Sequence, residues 1–235
     1  MNKIASLLLL LLSVAHLHSA TEEHPVVAWV DRCMEGKMVS AGASDAPWWY
    51  IMTGGVGVGK TTLIKYLAAT GQAVVEEAAA AYILSAQARG IEKPWEFDDL
   101  SKNIAIWIQR DVKRVKLEGP KLCFWDRGPF DPLLYSFHDD QEPCAEILTY
   151  AHQAIAECLF RPTVFILAEL PVYENTVYRP ESLDASRSIH ACMEAGYRAL
   201  GFNVVIVPPV SVHDRAEFIL NHIAKEQAAA GGLRA

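Results

Sequence analysis

The sequence holds no C-x-x-C pair, no histidine set with metal-ligand spacing, no run of basic residues and no internal repeat. Each absence narrows the possibilities. The five cysteines, Cys33, Cys123, Cys144, Cys158 and Cys192, are odd in number and widely spaced. That fits free thiols in a reducing compartment, and neither a disulfide framework nor a zinc site. With 21 Lys+Arg against 28 Asp+Glu, the formal charge is −7. Such a surface argues against broad nucleic-acid binding, which rests on clustered cations that neutralise phosphates.

What is present begins with "MNKIASLLLLLLSVAHLHSA": one early Lys, an apolar core from Ile4 to about Leu17, and small Ala20. That is the layout of a secretory signal, and it is short for a membrane span of ~20 residues. His18 stands where a cleavage site wants a small residue. Three readings stand for residues 1–20: a cleaved signal, a short anchor that brings residues 4–17 to a membrane, or a mis-assigned start. Met34 and Met38 lie upstream of the first core strand, and a later start would leave an ordinary cytosolic protein. Residues 21–46 mix charges, Gly, Ser and Pro with little periodicity and read as a linker.

From Trp48 onward, strands and helices alternate. "WWYIM", "QAVVEE", "KLCFWD", "TVFILA" and "NVVIV" are predicted strands. Helices are predicted from Lys60 to Thr70 with Gly71 as the stop, over an Ala-rich stretch ending near Gly90, and from a cap at Asp98 or Asp99 along the face Leu100, Ile104, Trp107, Ile108 and Val115. Further helices are expected over 143–159, over Glu181 to about Leu200, and along Val212, Ala216, Ile219, Leu220 and Ile223. Apolar strands separated by helices imply a parallel sheet covered on both faces, one doubly wound α/β domain over 47–228 with a tail at 229–235. Its ligand site is expected off the carboxyl ends of the strands.

The segment "YIMTGGVGVGKTTLIKYL" meets the pattern G-x-x-x-x-G-K-[ST] at Gly54, Gly59, Lys60 and Thr61. In such a loop (Gly54, Gly55, Val56, Gly57, Val58, Gly59, then Lys60, Thr61 and Thr62), successive backbone N–H groups wrap a phosphate and the following helix points its positive end at the anion. Lys60 reaches the β- and γ-phosphates, and the Thr61 hydroxyl holds Mg²⁺. A nucleoside triphosphate is therefore the expected ligand. ATP is available in the cytoplasm, which favours that compartment for the domain.

Other residues converge on the same crevice. Asp126 ends the third predicted strand, where a carboxylate binds Mg²⁺ or caps the next helix. Arg127 beside it pairs either with a phosphoryl oxygen or with Asp126. Glu76 and Glu77 end the second strand, and Glu77 is the preferred base for an acceptor hydroxyl, against a plain helix-capping role. The polar stretch after strand four carries Arg179 and Arg187, read either as lid arginines or as surface groups. His190, His152 and Cys123 read as structural. Trp95, Trp107 and Trp125 either line an acceptor pocket or pack the core.

Taken in order, the phosphate loop, "WDRGPFDPLLY", "VFILAELPVYENTVYRPESLDASRSIH" and "GYRALGFNVVIVPPVSVHDRAEFIL" resemble the AAA-type P-loop ATPase domain related to the nicotinamide riboside kinase part of NadR. The likeness spans about residues 50–221. Val56 and Val58 depart from it, replacing the small or Pro residues common in the loop. The resemblance implies a kinase-like three-layer sandwich with strand order 2-3-1-4-5, ATP or GTP with Mg²⁺, and an acceptor site between strands 2 and 3. It implies Glu77 as the acidic residue after strand 2, Asp126 and Arg127 as the D-R pair, and Arg179 and Arg187 as lid arginines. Two functions are consistent with all this. One is a small-molecule phosphotransferase with an unidentified acceptor. The other is a nucleotide-dependent switch, or slow ATPase or GTPase, that binds a protein or membrane partner.

Overall fold

In β1 (Trp48–Thr53), Trp49 and Ile51 enter one core while Tyr50 and Met52 enter another. Successive strand residues point to opposite faces, and in this strand both faces are buried. β2 (Ala73–Val75), β3 (Leu122–Asp126), β4 (Thr163–Leu167) and β5 (Asn203–Val207) run parallel to it in the order β2-β3-β1-β4-β5. In β3, Trp125 faces the first core and Phe124 the second; in β4, Ile166 and Phe165 repeat the division. Strands of this kind have no polar side, hence their continuous apolar runs. The expected sheet and its order are present.

The computed structural model describes residues 24–40, 47–94, 100–171 and 182–232. The signal-like segment, Trp95, the Asp98 and Asp99 caps and Arg179 lie outside them. Eight helices are named among the described residues: α1 (Val26–Met34), α2 (Lys60–Ala69), α3 (Ala78–Ala88), α4 (Leu100–Glu118), α5 (Asp131–His138), α6 (Ala145–Ala156), α7 (Leu183–Ala199) and α8 (Val212–Gly232). The first core is closed by α1, α4, α5, α6 and α7, and the second by α2 and α8. Helices thus cover both faces. No described helix is long and apolar enough to cross a membrane.

Two boundaries differ from expectation. The linker assigned to 21–46 contains α1, whose Val26, Trp29, Val30 and Met34 are buried in the first core. Their spacing is helical, but the helix is only 9 residues long, opens on Pro25 without a side-chain cap, and is flanked by charge and glycine. Packing rather than local propensity stabilises such a helix. Trp29 meets Phe137 of α5 edge-on, and His152 of α6 contacts the Cys33 carbonyl oxygen. At the other end, α8 continues to Gly232, past the expected limit at 228.

Candidate active site

Thr53 ends β1 inside the core, and Gly54–Gly59 carry the chain to α2. Gly59 caps the helix with φ of 83°, a conformation costly for any residue with a Cβ. At Gly55 the constraint is contact: a Cβ there would lie 2.7 Å from the Ser186 backbone oxygen. The two valines that depart from the usual pattern are anchors. Val58 is buried in the second core, and Val56 packs against the first. Their side chains are spent on the cores, and the backbone remains to form the cradle.

Lys60 is 7% exposed, and its Nζ donates to the carbonyl oxygens of Gly54 at 3.1 Å and Gly55 at 2.7 Å. Burial, then the like charge of Arg127, push its pKa down to about 7. Thr61, in the first turn of α2, is half-buried, and Thr62 is exposed.

Asp126 ends β3 in register with Met52 of β1. It is buried, and its Oδ1 has no hydrogen-bond partner among the described residues. Burial, then the neighbouring Glu77 carboxylate, raise its pKa to about 6. An orphaned carboxylate oxygen in the field of the phosphate-loop lysine fits a divalent cation or its water. With Thr61, Asp126 would hold Mg²⁺.

Arg127 follows with φ of 65°, left-handed backbone in a non-glycine residue. Its N–H donates to the Met52 carbonyl, and Gly128 N–H donates to Asp131 Oδ2 at 2.8 Å, which holds the turn. The guanidinium donates through Nε to Glu77 Oε1 at 2.8 Å and through a terminal nitrogen to Asp131 Oδ1 at 3.1 Å, and it lies over the Tyr135 ring. Burial penalises the Arg127 charge, but Tyr135, Glu77 and Asp131 more than offset that and hold its pKa well above the ordinary value. Its carboxylate partners are therefore Glu77 and Asp131, not the Asp126 of the sequence-based alternative. Asp131 is itself buried and also accepts from Thr53 Oγ1 and from the Tyr197 hydroxyl at 2.5 Å.

The structure thus gathers Lys60, Glu77, Asp126 and Arg127 into one electrostatic cluster. Glu76 is exposed. Arg187 stands apart from that cluster: it is exposed and its guanidinium grips both oxygens of Glu169 at 2.8 and 2.9 Å. His190, read as structural, touches the loop: Gly55 N–H donates to its Nδ1 at 3.4 Å. Cys123 is buried with its thiol pKa pushed up by burial to about 12, as a packing residue should be. Four residues at the site, Asp131, Tyr197, Ser186 and Arg215, lie in the segments that carry the family resemblance but had no role assigned to them there. Ser186 donates to the Val56 carbonyl at 2.7 Å, and Arg215 to the Val58 carbonyl at 3.0 Å.

Beside the cluster, off the ends of β2 and β3, lies a cavity of about 310 Å³ bounded by α3, α4 and α5. Leu100, Ile104, Ile108, Trp125 and Tyr135 form its apolar wall, and Glu77, Asp126 and Arg127 border it. Trp125 lines this cavity and also packs the core, where it meets Trp49 at a tilt and Phe160 edge-on. Trp107 contacts Tyr82 edge-on, under Arg110.

The model of the family described as AAA domain matches residues 49–215. The chain belongs to that family. A search of curated proteins finds no match. Among solved structures, a deoxyadenosine kinase from M. mycoides, with the product dCMP and a flexible dCDP bound, aligns with a TM-score of 0.50 at 14% identity, over 75% of this chain and 99% of that one. This AAA domain therefore has the fold of a nucleoside-kinase-like P-loop NTPase.

Proposed function

We propose that the protein transfers the γ-phosphoryl group of ATP or GTP to a hydroxyl of a small, nucleoside-sized acceptor that carries no negative charge. The observation that carries this reading is the cavity: a partly open volume of about 310 Å³ borders Glu77, Asp126 and Arg127 at the end of the sheet that also bears the phosphate loop. A plain triphosphatase has no use for a second, organic-sized compartment at that point. Among the described residues its wall carries Glu76, Glu77, Asp111, Asp126, Asp131 and Asp139 against Arg127 alone, and Arg127 is already paired with two of them. A phosphate dianion on the acceptor would meet repulsion there; a neutral or cationic alcohol would not. The fold shared with a deoxyadenosine kinase makes nucleosides the first class to test.

In the proposed reaction the acceptor oxygen attacks the γ-phosphorus, the bridging P–O bond to the β-phosphate breaks, and the nucleoside diphosphate leaves. Glu77 takes the hydroxyl proton and Arg127 fixes the Glu77 carboxylate in place. Loop amides and Lys60 hold the phosphates, so positioning and charge neutralisation supply most of the rate. Thr61 and Asp126 would hold Mg²⁺, which would supply neutralising charge to the triphosphate.

The test is a panel of ribonucleosides, deoxynucleosides and their monophosphates incubated with ATP or GTP and Mg²⁺, with phosphorylated product detected by mass spectrometry. A new phosphomonoester from a nucleoside, and none from a nucleotide, is expected. Triphosphate hydrolysis that no acceptor accelerates would sink the reading.

A further inference from the structure

The first turn of α8 places a second buried cation against the phosphate loop, from outside. Arg215 is 5% exposed, yet among the described residues it has no ion-pair partner, and its Nε has no hydrogen-bond partner. One terminal nitrogen donates to the Val58 carbonyl oxygen at 3.0 Å. The same nitrogen lies 2.9 Å, and its twin 3.3 Å, from where a Cβ on Gly59 would stand. Both terminal nitrogens therefore lie close to the last residue before α2, a position open to them because residue 59 is glycine.

Desolvating a guanidinium without a carboxylate is costly, and an apolar side chain of similar size would pack there without that cost. What the charge does follows from peptide geometry. In a trans peptide the Val58 carbonyl and the Gly59 N–H point in opposite directions. A donor that holds the Val58 oxygen outward turns the Gly59 amide inward, toward the cradle at the start of α2. It also polarises that peptide, which strengthens the amide as a donor.

We propose that Arg215 is a positioning residue for triphosphate binding: clamped on Val58, it aims the Gly59 amide at the phosphates and leaves a buried positive charge that the phosphate anion compensates. The inference rests on the loop binding nucleotide, as in the proposed function. It gives a role to a residue at the end of the family-matched span that the sequence reading left without one.

The experiment measures binding of Mg-ATP, and of adenosine as the phosphate-free control, to the full chain and its Arg215→Met and Arg215→Lys variants by calorimetry, with melting temperature read alongside. Loss of a charge-assisted hydrogen bond predicts Mg-ATP binding about ten-fold weaker in Arg215→Met, largely restored in Arg215→Lys. Any adenosine affinity stays level. The nucleotide-free Met variant melts at or above the wild type, because an uncompensated buried charge has gone. Two results overturn the proposal: unchanged Mg-ATP affinity in Arg215→Met, or equal loss in both variants with lowered melting temperatures, which marks a packing role. Wild-type protein that binds no triphosphate at all would instead defeat the reading of the loop.

Discussion

Glu77 and Arg127 meet at 2.8 Å, joining the cap of α3 to the residue just past β3. The pair bridges adjacent strands of the sheet and sits on the border of the cavity, so each side chain limits where the other can point. The arginine also stands on Asp131, which makes the glutamate the outer and more accessible member, with side-chain exposures of 28% for Glu77, 11% for Arg127 and 1% for Asp131. A carboxylate presented in this way is suited to take a proton from a bound alcohol.

Glu77→Gln keeps the shape and one hydrogen bond to Arg127 but removes the base. Turnover with a productive acceptor should fall by about 10²-fold or more, while Mg-ATP affinity stays within a factor of about two, since Glu77 faces the acceptor side. Steady-state kinetics combined with calorimetry separate the two. An intact kcat would remove Glu77 from the mechanism.

Lys60→Met should abolish turnover and leave the fold standing. Stability carries its own signature. The folded pKa of Lys60, about 7, lies below its ordinary 10.5. Between those values the unfolded chain holds a proton that the folded chain has released, so rising pH stabilises the wild type through that window. The Met variant lacks this dependence. Its advantage over the wild type in urea unfolding should therefore be largest near about pH 7 and shrink by about pH 9. A gap that is flat or widens with pH contradicts the placement of a desolvated lysine.

Asp131→Asn removes the charge that faces Arg127 from below. Breaking a buried pair from one side costs about 3 kcal/mol or more, and kcat should fall with it as Arg127 loses its seat. Tyr197→Phe deletes one hydrogen bond to the same carboxylate and should cost about 1–2 kcal/mol. Chemical denaturation of both variants checks the order; a Tyr197 effect larger than that of Asp131 would mean the carboxylate is not the hub.

Trp29→Ala tests the reassigned N-terminal helix. Trp29 is 8% exposed, inside the first core, and truncating a buried tryptophan costs about 3–5 kcal/mol. A change below about 1 kcal/mol, the ordinary range for a surface position, would return residues 26–34 to a linker.

The sheet and the phosphate loop were legible because each is written in contiguous residues: apolar β-branched runs make the strands, and the loop needs glycines at fixed spacing. The cluster of Glu77, Asp126 and Arg127 was legible because strand ends converge in this topology. Partnerships across the chain were not. Arg127 had Asp126 as its nearest carboxylate in sequence, but its backbone turns the side chain toward Glu77, 50 residues earlier. Asp131 and Tyr197 are 66 residues apart, and Arg215 reaches Val58 across 157. No local periodicity marks such pairs. For α1 the pattern was present in Val26, Trp29, Val30 and Met34, but nine residues between charged and glycine-rich flanks give too few turns to separate it from chance.

The packing of α1 sets what a shortened chain would lose. Initiation at Met34 or Met38 would synthesise the whole phosphate loop and sheet, yet omit Val26, Trp29 and Val30. The apolar flank they cover, built from α5, α6 and α7, would then meet water. Processing near Ala20 would spare the helix entirely. Whether residues 26–34 are retained therefore decides whether the larger core is closed.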